Sequence, residues 1–186
     1  PAPINIVEER SVGPDLGKDS IEAGIFSLAV GFTLVIIFML IKYKIFGLIS
    51  NISLISNLFM LLGVMTLLEA TLTLPGIAGI ILTVGMAVDS NVLIYERIRE
   101  ELKTEKSIIH AFDTGYNKAK ITVIDANITT LIAAAILFVF GTGPVKGFAI
   151  TLGVGIVTTL FSAYFIARHL TSLVVLNDRE GKYFKL

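Results

Sequence analysis

The sequence predicts an all-α membrane protein, a polytopic bundle of five transmembrane helices, on three observations. Of its 186 residues 54% are hydrophobic and only 16% charged, with a mean hydropathy of +0.83, a balance suited to lipid as solvent. Charge-free runs long enough to cross a bilayer, about 20 residues, occur at 23–41, 45–68, 70–88, 126–145 and 147–167. Those runs also lack the polar stripe every 3.6 residues that a soluble helix of this length carries.

The elements follow in order. A polar segment, 1–20, with Pro1, Pro3 and Pro14 and no methionine at its start, reads as part of a longer protein. The transmembrane domain, 21–172, holds spans at about 21–42, 46–69, 75–97, 120–141 and 146–170. Lys42-Tyr43-Lys44 separates the first two. Leu74-Pro75-Gly76 opens the third with proline in a first turn, where its missing N–H costs nothing, and Gly141-Thr-Gly-Pro144 parts the last two. Between spans three and four, 98–119 is predicted to be a loop carrying a short interfacial helix, capped by Ser107, with Ile108, Phe112 and Tyr116 on one stripe. A docking surface for a partner is the other interpretation of that stripe. A tail, 173–186, closes the chain.

Charge placement orients the bundle. Fifteen basic and fifteen acidic residues cancel, so no overall basic field attracts nucleic acid. One side of the membrane receives Lys42, Lys44, Arg97, Arg99, Lys103, Lys106, Lys118, Lys120, Arg168, Arg179, Lys182 and Lys185, and the other only Arg10, Lys18 and Lys146. The richer side is predicted to be cytoplasmic, placing the N-terminal segment outside and the C-terminus inside. The absence of cysteine excludes disulfides and thiolate chemistry. His110 and His169 have no metal-ligand spacing, no nucleophile and base cluster is visible, and neither a metal, a cofactor nor a catalytic site is predicted.

Asp89 is the residue that does not belong in lipid. It lies about 21 Å along its helix from Pro75, slightly past mid-bilayer, where an ionised carboxylate costs about 2.5–3.5 kcal/mol. Such a group either locks helix packing through hydrogen bonds or serves as an ion or proton site, and intramembrane carboxylates favour the second. Moving an aspartate's titration from its ordinary range to neutrality amounts to about 3.4 kcal/mol, roughly what a proton gains in crossing about 150 mV. Gly85, one turn earlier, leaves room beside the acid, and Asn91 offers an amide from an adjacent face. On span four Asp125 is either a surface carboxylate or a relay member, with Thr129 one turn deeper on its face. Small residues recur every fourth position at Gly79, Thr83, Ala87 and Asn91, at Ala126, Thr130 and Ala134, and at Gly147, Thr151, Gly155, Thr159, Ala163 and Ala167. These faces suit tight packing or sliding of helices.

The string Gly85-Met-Ala-Val-Asp-Ser-Asn-Val-Leu-Ile-Tyr-Glu-Arg-Ile-Arg-Glu-Glu101 resembles the signature of SecD-type subunits in the SecD/SecF family. Agreement extends to Ser11-Val-Gly-Pro14 with Asp19-Ser-Ile21, Thr71-Leu-Thr-Leu-Pro-Gly-Ile-Ala-Gly79, Asp125-Ala-Asn-Ile-Thr-Thr130 and Gly141-Thr-Gly-Pro-Val-Lys-Gly-Phe148. The resemblance implies membership of the resistance-nodulation-division superfamily and a role beside the Sec translocon channel. There protons, rather than a cofactor, drive unfolded preprotein across the bacterial inner membrane. It makes Asp89 the proton-coupling residue, with a SecF-type subunit supplying a further aspartate and an arginine. The five spans become the second to sixth of a six-helix half, and 1–20 the end of a periplasmic domain. Ser90 and Tyr95 depart from the usual alanine and phenylalanine, and Ser90 is placed to add a hydrogen bond beside Asp89. A passive scaffold for translocon components and a small-molecule exporter of the same superfamily are the alternatives.

Overall fold

The structure, a computed structural model, describes residues 14–104 and 107–177. Most of the 1–20 segment and the last nine residues of the tail lie outside the described residues. The helices are α1 (Pro14–Leu67), α2 (Leu74–Glu101), α3 (Ile108–Phe140), α4 (Pro144–Phe161) and α5 (Arg168–Asn177), with a π-helical turn, Ser162–Ala167, joining the last two.

Among the described residues four continuous helical stretches are long and apolar enough to cross a membrane, where the sequence predicts five spans. The difference lies at Lys44, whose φ of 50° and ψ of −115° interrupt α1. The side-chain amide of Asn51 donates to the carbonyl of Ile36 at 3.2 Å, although fifteen residues of straight helix span about 22 Å. The chain therefore doubles back, and α1 is a hairpin of two arms. Gly47 lies so close to the Met39 carbonyl that a Cβ would overlap it, which is why glycine follows the reversal.

Local chemistry sets the other ends. After Leu67 the N–H of Ala70 bonds the Met65 carbonyl and that of Glu69 the Thr66 carbonyl, a Schellman closure with Glu69 at the left-handed position, φ 50°. Glycine is the usual occupant there. A Glu69→Gly chain is expected to gain about 0.5–1 kcal/mol, measured as a higher melting temperature, and a lower one would show that Glu69 earns its place otherwise. Thr73 caps α2, its hydroxyl accepting from the Gly76 N–H at 3.2 Å with Pro75 in the first turn.

Helix α3 departs from the predicted interfacial helix followed by a separate span. It runs unbroken from Ile108 to Phe140, and Ser107, although at its N-cap, makes no side-chain capping bond. The Phe112 and Tyr116 stripe is buried in the main apolar cluster with Ile98 and Val123. Gly115 abuts α2, an added Cβ falling 2.7 Å from Ile98 Cα. Packing against α2 continues without a breaker, so nothing ends the helix at the membrane surface. At the other terminus helix continues through α5 to Asn177, past the predicted end of span five at 170.

Helix α2 is central and packs on α1, α3 and α4. Its small-residue face meets that of α4. Thr151 fits over Gly76 and Gly79, Gly147 faces Thr73, and Gly155 receives the Thr83 side chain. Glycine on one helix opposite threonine on the other brings the backbones close.

Candidate functional site: a carboxylate on the open face of a central helix

Because α2 is central, its two faces carry different chemistry. Ala78, Leu82, Gly85, Asp89 and Leu93 form an exposed stripe, while Thr83, Ala87, Asn91, Ile94 and Tyr95 are buried. Asp89 thus stands on the outside of the bundle, about 18 Å before the helix ends at Glu101. A Cβ added to Gly85 would meet nothing within 4 Å, so the surface one turn away is a notch.

The groups expected beside Asp89 point elsewhere. Asn91 is two residues along, a rotation of about 200°, and lies in the interior, 2% exposed. Ser90 donates to the Met86 carbonyl of its own helix at 2.9 Å and is not a donor to the acid. On α3, Asp125 and Thr129 are exposed, and the Thr129 hydroxyl donates to the Asp125 carbonyl at 3.0 Å, closing on its own helix.

Asp89 and Asp125 nevertheless share one surface. An open groove of about 340 Å³ is lined by Leu93, Glu96, Arg97 and Glu100 of α2 and by Lys118, Ala119 and Thr122 of α3. Leu93 is one turn beyond Asp89, and Thr122 one turn before Asp125. With Gly115 fixed against Ile98, this antiparallel register puts both carboxylates at one level on neighbouring helices, whose axes pack about 8–10 Å apart. The groove is a polar approach toward that level from the Lys44 end.

Ion pairs tie together the charged residues that line the groove. Glu101, only 8% exposed, accepts from Lys118 Nζ at 2.9 and 3.0 Å and pairs with Arg97 at 3.2 Å. Arg97 also bonds Glu100 at 2.8 Å. Tyr43, in the α1 reversal, donates to Glu96 at 2.9 Å, and burial, with this neighbour, pushes its phenol up to about 12. The Lys118 hydrogen bond, with the charges of Lys118 and Arg97, holds the Glu101 carboxyl below its usual 4.5. A depressed folded value stabilises the fold above pH 4.5 and loses that contribution as pH falls through the folded value. A Glu101→Gln chain is expected to melt lower at neutral pH and to show a flatter acid-side decline, followed by melting temperature against pH. Parallel declines would refute the assignment. Glu101 and Lys118 lie in different helices, so no local spacing announces the pair.

Comparison with known proteins fits this architecture. Residues 2–177 match the family model described as protein export membrane protein SecD/SecF, C-terminal. The chain is 54% identical over 179 residues to the protein translocase subunit SecD of Magnetococcus marinus, covering 96% of this chain and 34% of the relative. It is 56% identical over 168 residues to that of Calditerrivibrio nitroreducens, covering 90% and 32%. It therefore spans about a third of the length of those relatives. It superposes on the crystal structure of SecDF, a translocon-associated membrane protein from Thermus thermophilus, with a TM-score of 0.88 and 42% identity, over 91% of this chain and 24% of that one. A bundle centred on α2, matched across nearly its whole length, belongs to the SecD/SecF family of protein export membrane proteins.

Proposed function

We propose that this chain is the membrane part of a proton-driven subunit of the bacterial Sec export machinery, with Asp89 as the group that gains and loses the proton. The observation carrying the proposal is the position of Asp89, exposed halfway along the central helix. An ionised carboxylate facing hydrocarbon there costs about 2.5–3.5 kcal/mol, so the acid is either neutral or covered by a polar partner. Alternation between those two conditions converts protonation into a change in what α2 packs against. The groove between Glu96 and Lys118 gives water a route from the Lys44 end, which the excess of lysine and arginine makes the cytoplasmic side. The N-terminal segment then lies in the periplasm.

A SecF-type subunit covers the α2–α3 face in this proposal and contributes the remaining groups of the proton path. The Sec channel and an unfolded preprotein are engaged through other parts of the protein, and the bundle converts energy without enzymatic chemistry. The names of the relatives support protein export over small-molecule export. The test is stimulation of preprotein translocation by an imposed proton gradient, with aspartate and with asparagine at position 89. Equal stimulation of both would leave a passive scaffold in place of a motor.

A further inference from the structure

The stripe of α2 that carries Asp89 continues toward the Lys44 end. Seven residues make almost two full turns, so Glu96 leaves the helix within about 20° of the direction of Asp89 and about 10 Å further along. Glu96 is half-buried and lines the open groove of about 340 Å³ between α2 and α3. Leu93 and Thr122 bound that groove one turn short of Asp89 and Asp125.

Three carboxylates, Glu96, Glu100 and Glu101, stand at this end of α2, and their partners differ. Glu100 accepts from Arg97 at 2.8 Å, and Glu101 is held by Lys118 at 2.9 Å and by Arg97 at 3.2 Å. Hydrogen-bonded cations favour the ionised form of both. Glu96 is bonded otherwise. Its Oε1 accepts from the neutral Tyr43 phenol at 2.9 Å, and Arg99 stands 3.7 Å from Oε2 with both side chains 40% exposed. An exposed pair at that separation contributes little. The groups facing Glu96 are therefore Tyr43 from α1, Lys118 from α3, and Arg97, Arg99 and Glu100 on its own helix. Among the described residues lining the groove, Glu96 is the acid least committed to a cation. Tyr43 suits both of its forms, since a phenol donates to a carboxylate and accepts from a carboxylic acid.

We propose that Glu96 is the relay carboxylate between Asp89 and the water at the Lys44 end, an inference that rests on Asp89 as the group that bears the proton. The Asp89 acid gives up its proton and becomes a carboxylate. Glu96 takes that proton through the open groove, becomes the neutral acid, and returns to a carboxylate when it passes the proton to solvent. The first transfer runs between groups of like chemistry and is close to balanced, whereas water alone is a far weaker acceptor. Glu96 acts through Asp89, on the same stripe of one helix.

Gradient-driven preprotein translocation into inverted vesicles, with glutamate, glutamine or aspartate at position 96, tests this. Glutamine still accepts from Tyr43, so Glu96→Gln should insert and melt as the parent does. Its response to the gradient should fall several-fold without vanishing, because solvent still enters the groove. Glu96→Asp should keep most of the response. Added formate, a carboxylate small enough for the groove, should restore much of the Glu96→Gln response and leave the parent unchanged, a rescue that a purely structural contact would not give. A full response from Glu96→Gln overturns the proposal, as does a loss that neither aspartate nor formate repairs. An unresponsive Asp89→Asn chain beside a fully responsive Glu96→Gln chain removes the relay alone. An Asp89→Asn chain with its response intact removes the proton proposal on which the relay rests.

Discussion

Export assisted by a chain carrying Asp89→Asn is expected to lose its entire response to an imposed proton gradient while the protein still folds, inserts and assembles. The expectation of intact folding comes from the site. Asp89 is exposed on α2, and its nearest polar neighbours in sequence, Ser90 and Asn91, are turned inward, Ser90 bonded to the Met86 carbonyl. Asparagine matches the shape of aspartate, so the substitution removes ionisation and little else, and it also relieves the cost of about 2.5–3.5 kcal/mol for charge at this depth. Insertion and thermal stability should be equal or slightly improved. Asp89→Glu keeps the ionisable group one methylene further out and should retain a partial response. The measurement is preprotein translocation into inverted vesicles with and without a gradient, beside a melting curve for each chain. Full stimulation of the Asp89→Asn chain would end the proton proposal. Asp125→Asn in the same assay separates the two interpretations of the second carboxylate. A relay member on the shared face should cost much of the stimulation, whereas a surface carboxylate should cost none.

The ends of the helices were legible in the sequence because charge and turn residues mark them directly. The reversal at Lys44, the start of α2 at Thr73 and Pro75, and the α3–α4 turn at Gly141 to Pro144 all fall where punctuation predicts them. The fourfold small-residue stripes of α2 and α4 also proved to face one another, Gly155 against Thr83 and Gly79 against Thr151. Position around a helix was harder, since a run apolar on every side gives no moment by which to tell inside from outside. Asp89 and Asn91 look like neighbours in the chain, yet one is outside and the other inside. The continuity of helix across 119–120 was not legible because Phe112 and Tyr116 read equally well as a lipid-facing stripe, and only contact with Ile98 and Val123 makes them core. One interior feature had a visible signal. Ser50, Ser53 and Asn57 recur at spacings of three and four in span two, one polar line in an apolar run, and all three are buried.

The largest packing effect is expected at one of two glycines on a single helix. Gly155 and Gly153 are two residues apart on α4, so alanine gains the same intrinsic helix preference over glycine at each, about 0.8–1 kcal/mol. Their surroundings differ. A Cβ at Gly155 would run into the Thr83 side chain, whose hydroxyl donates to the Gly79 carbonyl at 2.8 Å, so Thr83 yields only by giving up that bond or by pushing the helices apart. A Cβ at Gly153 meets nothing within 4 Å. Overpacking a tight contact costs about 1–3 kcal/mol, more than the propensity gain. Gly155→Ala should therefore lower stability by up to about 2 kcal/mol, while Gly153→Ala should raise it by up to about 1 kcal/mol. Thermal melts of the two chains in one detergent decide the matter, and the sign of the difference is what counts. A Gly155→Ala chain as stable as Gly153→Ala would mean that α2 and α4 do not interlock through glycine and threonine. A Thr83→Ser, Gly155→Ala double substitution, which removes the Cγ2 methyl from the collision, should recover part of the loss, and recovery ties the effect to this one contact between the helix that carries Asp89 and the helix it packs against.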